Sequence, residues 1–187
     1  MSLNLAAPEQ RSPLKSILIA AAVMIAIAAA IFLFLPRRPA EISVAKVQVF
    51  APHTDFKAMA GSTHIVGQAA QSQDDLYVVV TIKVTDKLRL PLFLAPPEAT
   101  LTIPAGEADA AAISPRYIPQ LETVFPALTP LIVNPLADGD EVAPGATREA
   151  SVVFLFPGLK EEDWKSKQAA TLTVKFAHQE PQTISLK

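Results

Sequence analysis

The segment DDLYVVVTIKVTD, residues 74–86, decides the fold because its side chains alternate in character with a period of two. One face of this segment consists of Leu76, Val78, Val80, Ile82 and Val84. The other face consists of Tyr77, Val79, Thr81, Lys83 and Thr85. Alternation combined with many β-branched residues is typical of a strand. We therefore predict an antiparallel strand with one buried face and one face in solvent.

A second segment, AATLTVKFAH at residues 169–178, repeats this pattern. Its predicted inward residues are Leu172, Val174 and Phe176, and its predicted outward residues are Thr171, Thr173 and Lys175. Weaker strand patterns cover residues 42–50, 63–71, 89–95, 98–103, 148–156 and 182–186. Seven or eight short strands without long alternating helices indicate an all-β chain folded as an antiparallel β-sandwich.

Proline is frequent, with 17 residues against 6 glycines, which disfavours long helices and suits rigid connections between strands. Residues from about 104 to 144 fit the strand pattern poorly and are predicted to form a Pro-rich insertion. We expect this insertion to lie across one sheet edge or one open end of the sandwich. Apolar residues at helical spacing from Ile118 to Leu128 predict a short helix, which Pro119 and Pro126 limit to a turn or two. Residues 159–167 predict another short helix.

Ahead of the strands, SILIAAAVMIAIAAAIFLFL at residues 16–35 runs for twenty residues without a charge. A helix of this length spans about 30 Å, the thickness of the hydrocarbon core of a bilayer. A cleaved signal peptide has a shorter apolar core followed by small residues. We therefore predict a cytoplasmic tail at 1–15, one transmembrane helix at 16–35, a linker at 36–41 and an extracytoplasmic domain at 42–187.

The direction of this helix is set only weakly by its flanking charges. Arg11 and Lys15 precede it, while Arg37, Arg38 and Lys46 follow it, so the basic flanks are nearly balanced. A short basic tail before a first span normally stays in the cytoplasm. This tendency and the nature of the following domain predict that the N-terminus lies in the cytoplasm. The helix is then predicted to cross the inner membrane or the plasma membrane.

Small residues recur within the predicted span at Ala22, Ala26 and Ala30. Such a small-xxx-small pattern lets two helices approach closely, which would give a homodimer. The other interpretation is that alanine is simply frequent in this segment. Both interpretations stay open at this point.

The formal net charge is −2 and there are no cysteines. The charge excludes the strongly basic surface of a nucleic-acid-binding protein. The lack of cysteine excludes disulfides, thiolate metal sites and cysteine nucleophiles.

No local motif predicts catalysis, a metal or a cofactor. His53, His64 and His178 stand singly, without the paired spacing of a zinc site. Neither Asp74–Asp75 nor ADGDE at 137–141 matches a calcium loop, and no G-x-S-x-G elbow occurs. We therefore expect a protein that is not an enzyme. An envelope hydrolase, with residues that converge from distant segments, is the alternative.

The order of LYVVVTIKVTD, a Pro-rich middle, VAPGATREASVVFLFP and ATLTVKF resembles a group of bacterial domains. These are the poorly characterised immunoglobulin-like domains that lie outside the cytoplasmic membrane behind one N-terminal helix. In them a Pro-Gly turn, here Pro144-Gly145, introduces a strand that ends in an aromatic residue and a proline. The chain has Asp86 where such domains often place Asn. The resemblance implies an extracytoplasmic immunoglobulin-like sandwich and no particular chemistry.

These observations predict a membrane-anchored interaction or assembly module of the cell envelope with a protein partner. Its candidate interaction surface consists of Tyr117, Ile118, Val124, Phe125 and Trp164. Trp164 is either an interface anchor or a plug at one end of the core, and its place between two strands favours the plug. An alternative function is binding of a small apolar or lipid ligand between the sheets or beneath the insertion, which requires a dry cavity of several hundred Å³.

Overall fold

The structure, a computed structural model, describes residues 13–34, 38–56 and 71–187 of the chain. It divides into two compact units, with helix α1 (Pro13–Phe34) in one and the described residues from Arg38 onward in the other. Over the described residues, no helix meets the length and apolarity required of a membrane span. The tail up to residue 12, the three residues after α1 and nearly all of the strand expected at 63–71 lie outside the described residues.

From residue 38 onward the described chain contains strands and two short α-helices. The strands are β1 (Ala40–Phe50), β2 (His53–Phe56), β3 (Gln71–Asp86), β4 (Leu92–Ile103), β5 (Gly106–Ala111), β6 (Glu141–Val142), β7 (Thr147–Pro157), β8 (Ala169–Phe176) and β9 (Gln179–Ser185). The helices are α2 (Ile118–Val124) and α3 (Glu161–Lys165). Two 3-10 helices, Pro115–Tyr117 and Pro126–Leu131, flank α2.

The first sheet is built around β3, which pairs antiparallel with β1, β2 and β7. β2 continues β1 along β3 in the same register, since Phe50 is opposite Tyr77 and His53 is opposite Asp74. β7 pairs with the other edge of β3. The predicted central strand therefore has neighbours on both edges.

The second sheet has the order β5-β4-β8-β9, and β6 pairs with the start of β4. The segments predicted as separate strands at 89–95 and 98–103 form one strand, β4. The register against β8 shifts between Ala95 and Glu98, where Pro96 and Pro97 lack the N–H groups that a ladder needs.

The two sheets bury one main hydrophobic core between them, which confirms an antiparallel sandwich. The inward row predicted for β3 is buried throughout, from Leu76 to Val84. Leu172, Val174 and Phe176 of β8 are also buried, as predicted. Phe154 and Phe156 of β7 complete the large side chains of this core.

The prediction of a solvent-exposed outer face on β3 is wrong for Tyr77 and Val79. Both are buried in a second cluster with Val153 of β7 and with Ile118 and Leu128 of the insertion. Apolar side chains on the outer faces of β3 and β7 need cover, and the insertion supplies it. Farther along β3 the outer face is polar or partly exposed at Thr81, Lys83 and Thr85.

The insertion itself is shorter than predicted and occupies residues 112–136. The flanking segments of the predicted range form β5 and β6 of the second sheet. Its two ends run along the edge of β7, through bridges from Ala112 to Phe154 and from Pro135 to Ser151. The middle of the insertion lies over the outer face of the first sheet. Only the two ends of the insertion therefore agree with the predicted position across a sheet edge.

Asp86 ends β3 as a buried acidic residue, 1% exposed. Its Oδ1 accepts the Leu88 N–H at 2.6 Å, which closes a turn, while Oδ2 is buried and has no hydrogen-bond partner among the described residues.

An Asp86→Asn variant keeps the Oδ1 acceptor and removes a buried charge. We therefore expect it to raise the free energy of unfolding by on the order of 1 kcal/mol in urea titrations of the full chain at neutral pH. A less stable Asn variant would contradict this account.

Candidate interaction surface

The inner side of the insertion is fastened to the first sheet by aromatic and aliphatic contacts. The Phe125 ring centroid lies 5.5 Å from that of Tyr77 and 5.6 Å from that of Phe50, the latter edge to face. Leu128 is fully buried beneath them. Burial raises the pKa of the Tyr77 hydroxyl, and the nearby Asp75 carboxylate adds to that increase. These contacts fix α2 and its flanking 3-10 helices in place on the first sheet.

Hydrogen bonds from the backbone fix the two ends of the insertion. The Ile113 N–H donates to the Val153 carbonyl at 2.8 Å, and the Leu136 N–H donates to the Ser151 carbonyl at 2.9 Å. The Ser151 hydroxyl, on a residue 1% exposed, accepts the Val133 N–H at 3.1 Å. A buried serine in the apolar part of β7 therefore helps to hold the insertion on the sheet. Sequence reasoning missed this role, and the only signal was one polar residue within ASVVFLF.

The outer side of the insertion presents apolar side chains to solvent. Tyr117 is 47% exposed, Val124 is 67% exposed and Val133 is 59% exposed. The insertion at residues 112–136 contains two charged residues, Glu122 and Arg116. Depletion of charge is the compositional sign of the centre of a protein interface. We call Tyr117, Val124 and Val133 the outer surface of the insertion.

Tyr117 is held in place by its neighbour. The Arg116 guanidinium carbon lies 4.5 Å from the centroid of the Tyr117 ring, which is within cation–π distance. A stacked ring loses less conformational freedom when it enters an interface than a freely rotating one.

The structure separates the five residues predicted as the interaction surface. Tyr117 and Val124 are exposed, whereas Ile118 is buried and Phe125 packs partly buried in the second cluster. Trp164 lies on α3 and packs against the main core, with the Lys167 ammonium 4.3 Å from its ring centroid. Its position agrees with a plug. Val133 was not predicted, although the lack of charge around it was visible in the sequence.

The predicted helix-pairing residues Ala22, Ala26 and Ala30 lie on α1 and are exposed. Four-residue spacing places them along one side of a helix. A role in dimerisation stays a prediction.

Of the three histidines, His53 and His178 fall among the described residues, and His64 lies outside them. His178 stands in the β8–β9 turn with a positive φ of 62°. Within the described ranges, no cluster of three or more acidic or histidine side chains is placed to hold a metal ion.

The acidic segments considered for calcium are engaged in local structure. Asp140 accepts the Ala137 N–H at 2.9 Å and the Arg148 guanidinium at 2.7 Å, so it stabilises a turn. Asp74 accepts a hydrogen bond from His53 Nδ1 at 2.7 Å, and Lys160 Nζ lies 3.3 Å from its other oxygen.

The His53–Asp74 contact predicts a pH dependence of stability. The hydrogen bond from His53 is the main cause that holds the pKa of Asp74 below its ordinary value of 3.8, and Lys160 adds to it. A carboxylate whose folded pKa is depressed stabilises the fold above its unfolded pKa, and this stabilisation is lost as the pH falls through the folded pKa. We expect the stability difference between wild type and Asp74→Asn in thermal melts to be fully present well above the ordinary pKa of 3.8 and to be lost as the pH falls through the lowered folded pKa. A difference independent of pH would contradict this account.

The space between the sheets is filled by side chains such as Leu101, Phe154 and Leu172, which are fully buried. A surface cleft of about 510 Å³ is bordered by the polar residues Arg38, Lys87 and Gln182 as well as by Ile42 and Ile184. A filled core gives no support to an apolar ligand held between the sheets.

The described domain is thus a β-sandwich of two antiparallel sheets with a helical insertion over one of them. No protein-family model matches the chain, and no curated protein matches it in sequence. Among solved structures, it is similar to an uncharacterised β-sandwich protein from Clostridium difficile 630, at 12% identity and a TM-score of 0.37, over 82% of this chain and 89% of that one. It is also similar to a protein from Archaeoglobus fulgidus, at 10% identity and a TM-score of 0.35, over 77% of this chain and 91% of that one.

Proposed function

We propose that this chain is a single-pass membrane protein whose immunoglobulin-like β-sandwich lies outside the cytoplasm and acts as an interaction or assembly module of the cell envelope. The observation that carries the proposal is the outer surface of the insertion. It is apolar apart from the Arg116 guanidinium against Tyr117, and the insertion that bears it is fastened to the sheet beneath. A protein partner with a largely apolar face fits it.

The membrane anchor in this proposal rests on the sequence around α1. Uncharged residues run from Ser16 to Pro36, beyond the end of α1 at Phe34. The described side chains from Ile17 to Ile31 are all exposed. An apolar surface of this extent is unfavourable in water and favourable in a bilayer.

The support for a binding role comes from the cost of leaving such residues exposed. Ile118, Phe125 and Leu128 already cover the apolar side chains on the outer face of the first sheet. Tyr117, Val124 and Val133 lie outside the cluster that supplies this cover and are exposed. Because the insertion is held by the sheet and by its prolines, binding would require little additional ordering.

Site-specific crosslinking tests the interaction. With a photoreactive phenylalanine analogue at position 124, we expect a discrete crosslinked complex in cells. The same analogue at the exposed Glu107 of β5, on the second sheet, is the matched control and should give none.

A second variant tests whether binding of the partner depends on the apolar character of this surface. With the analogue moved to position 133, Val124→Asp should reduce crosslinking about tenfold, because an unpaired charge would be buried in the interface. Equal crosslinking at positions 124 and 107, or no effect of Val124→Asp, would contradict the proposal.

The orientation has its own test, which uses the lack of native cysteines. A membrane-impermeant maleimide applied to cells with an intact inner membrane should label Val133→Cys and leave Ser2→Cys unlabelled. The opposite pattern would place the domain in the cytoplasm.

A further inference from the structure

Outside α1, the exposed large apolar side chains of the described residues form two groups along the chain. One is the outer surface of the insertion, and the other consists of Leu90 and Phe93 at the connection from β3 to β4. Leu90 is 73% exposed. The groups differ in their basic residues, since one arginine, Arg116, lies against Tyr117 of the insertion surface, whereas Leu90 follows both Lys87 and Arg89. The greater number of cations beside Leu90 favours contact of this turn with an anionic partner.

The β3–β4 turn, residues 87–91, is held in a defined position. Asp86 accepts the Leu88 N–H at 2.6 Å, and the Leu88 side chain packs partly buried against the main core. The Lys87 N–H donates to the Pro39 carbonyl at 3.1 Å. With Leu88 directed into the core, Leu90 remains in solvent, so its exposure is a fixed property of the turn.

The turn also lies beside the start of the domain. Ala40, the first residue of β1, is opposite Asp86 at the end of β3. In the sequence only residues 35–37 separate α1 from Arg38. If α1 is embedded in a bilayer, the length of this connection limits how far Arg38 can lie from the bilayer surface.

Polar groups suited to lipid phosphates surround this point. The cleft of about 510 Å³ is lined by Arg38, Lys87, Gln182 and Thr183, together with Glu41. Glu41 is paired with Lys87 at 2.7 Å, and this pair lowers the pKa of the Glu41 carboxyl. Arg89 is exposed on the turn itself. An exposed leucine preceded by cations is suited to the interface of an anionic membrane, because the apolar side chain enters the acyl boundary while the cations meet the headgroup phosphates.

We infer that the β3–β4 turn is a second membrane contact of this protein. Leu90 enters the interfacial layer of an anionic leaflet, and Arg38 and Arg89 bind the phosphates of lipid headgroups, while Lys87 adds positive charge beside its partner Glu41. The inference rests on the proposed function, because α1 must first hold the domain at the bilayer. A second contact would restrict rotation of the domain about its linker.

Fluorescent labels at single cysteines in the full chain test this contact. Leu90→Cys carries an environment-sensitive dye in vesicles made of equal parts phosphatidylcholine and phosphatidylglycerol with a lipid-attached quencher. Val124→Cys, of similar exposure, is the matched control. We expect at least about twofold more quenching at position 90 than at position 124, and loss of the difference in phosphatidylcholine alone. The double variant Lys87→Gln/Arg89→Gln should also lose it.

A third label separates this inference from the anchor on which it rests. Ile25→Cys, in the middle of α1, should be quenched strongly in every vesicle. Quenching at position 25 with equal quenching at positions 90 and 124 would overturn the turn contact alone. Absence of quenching at position 25 would overturn the anchor and the turn contact together.

Discussion

Replacement of Phe154 by alanine is expected to lower the free energy of unfolding by about 3–5 kcal/mol, the range for truncation of a large buried aromatic residue. Phe154 is 0% exposed and lies on β7 opposite Val78 of β3, in the middle of the main core. The deletion removes apolar burial and leaves a cavity that strands hydrogen-bonded on both sides cannot readily close. Urea unfolding of the full chain, followed by tryptophan fluorescence of Trp164, measures the change.

The chain supplies a matched control in Phe93, which is 43% exposed on β4. Phe93→Ala removes the same atoms from the surface and should cost less than about 1 kcal/mol. Equal losses for the two alanine variants would show that Phe154 does not occupy a closed core.

The inner rows of the sheets were predictable because period-two alternation needs only local sequence. It placed Val78 and Ile82 in the core, and likewise Leu172 and Val174. The outer face of β3 was not predictable in the same way. Alternation assigns Tyr77 to solvent, but the residues that cover it come from a segment about forty residues later. The signal was the apolar character of Tyr77 and Val79 on a face expected to be polar.

Two other differences between the predicted and the observed strands concern strand boundaries. Pro96 and Pro97 interrupt the alternation of β4, so one bulged strand reads as two. β6 has only Glu141 and Val142, which is too short for any period to appear. In both cases the pairing with a neighbouring strand determines the structure, and that pairing is a property of the whole sheet.

The candidate interaction surface was predicted at the level of the segment and not of the side chain. Helical spacing grouped Ile118, Val124 and Phe125, yet α2 ends at Val124 and a 3-10 helix follows from Pro126. The change in helical geometry turns Phe125 towards the sheet while Val124 stays exposed. Which residue faces the sheet therefore depends on where the prolines end each helix.

Leu128→Ala is expected to have the second largest effect, a loss of about 2–5 kcal/mol in the free energy of unfolding. Leu128 belongs to the insertion and is 0% exposed. It packs in the second cluster with Tyr77, Val79 and Val153 of the first sheet. Its truncation should loosen the insertion more than the sandwich. Amide hydrogen exchange should therefore accelerate at Phe125 and Leu128, whose N–H groups bond within the insertion, before it accelerates in β8.

Val124→Ser is the matched substitution on the outer side of the same segment. Val124 is 67% exposed, so this variant should change stability by less than about 0.5 kcal/mol. It should nevertheless weaken capture of the partner in the crosslinking experiment at position 133. If Val124→Ser lowers stability as much as Leu128→Ala, Val124 belongs to the fold and not to an interface. If it leaves both stability and crosslinking unchanged, the exposed valine does not take part in binding, and the proposed surface would have to be placed elsewhere on the domain.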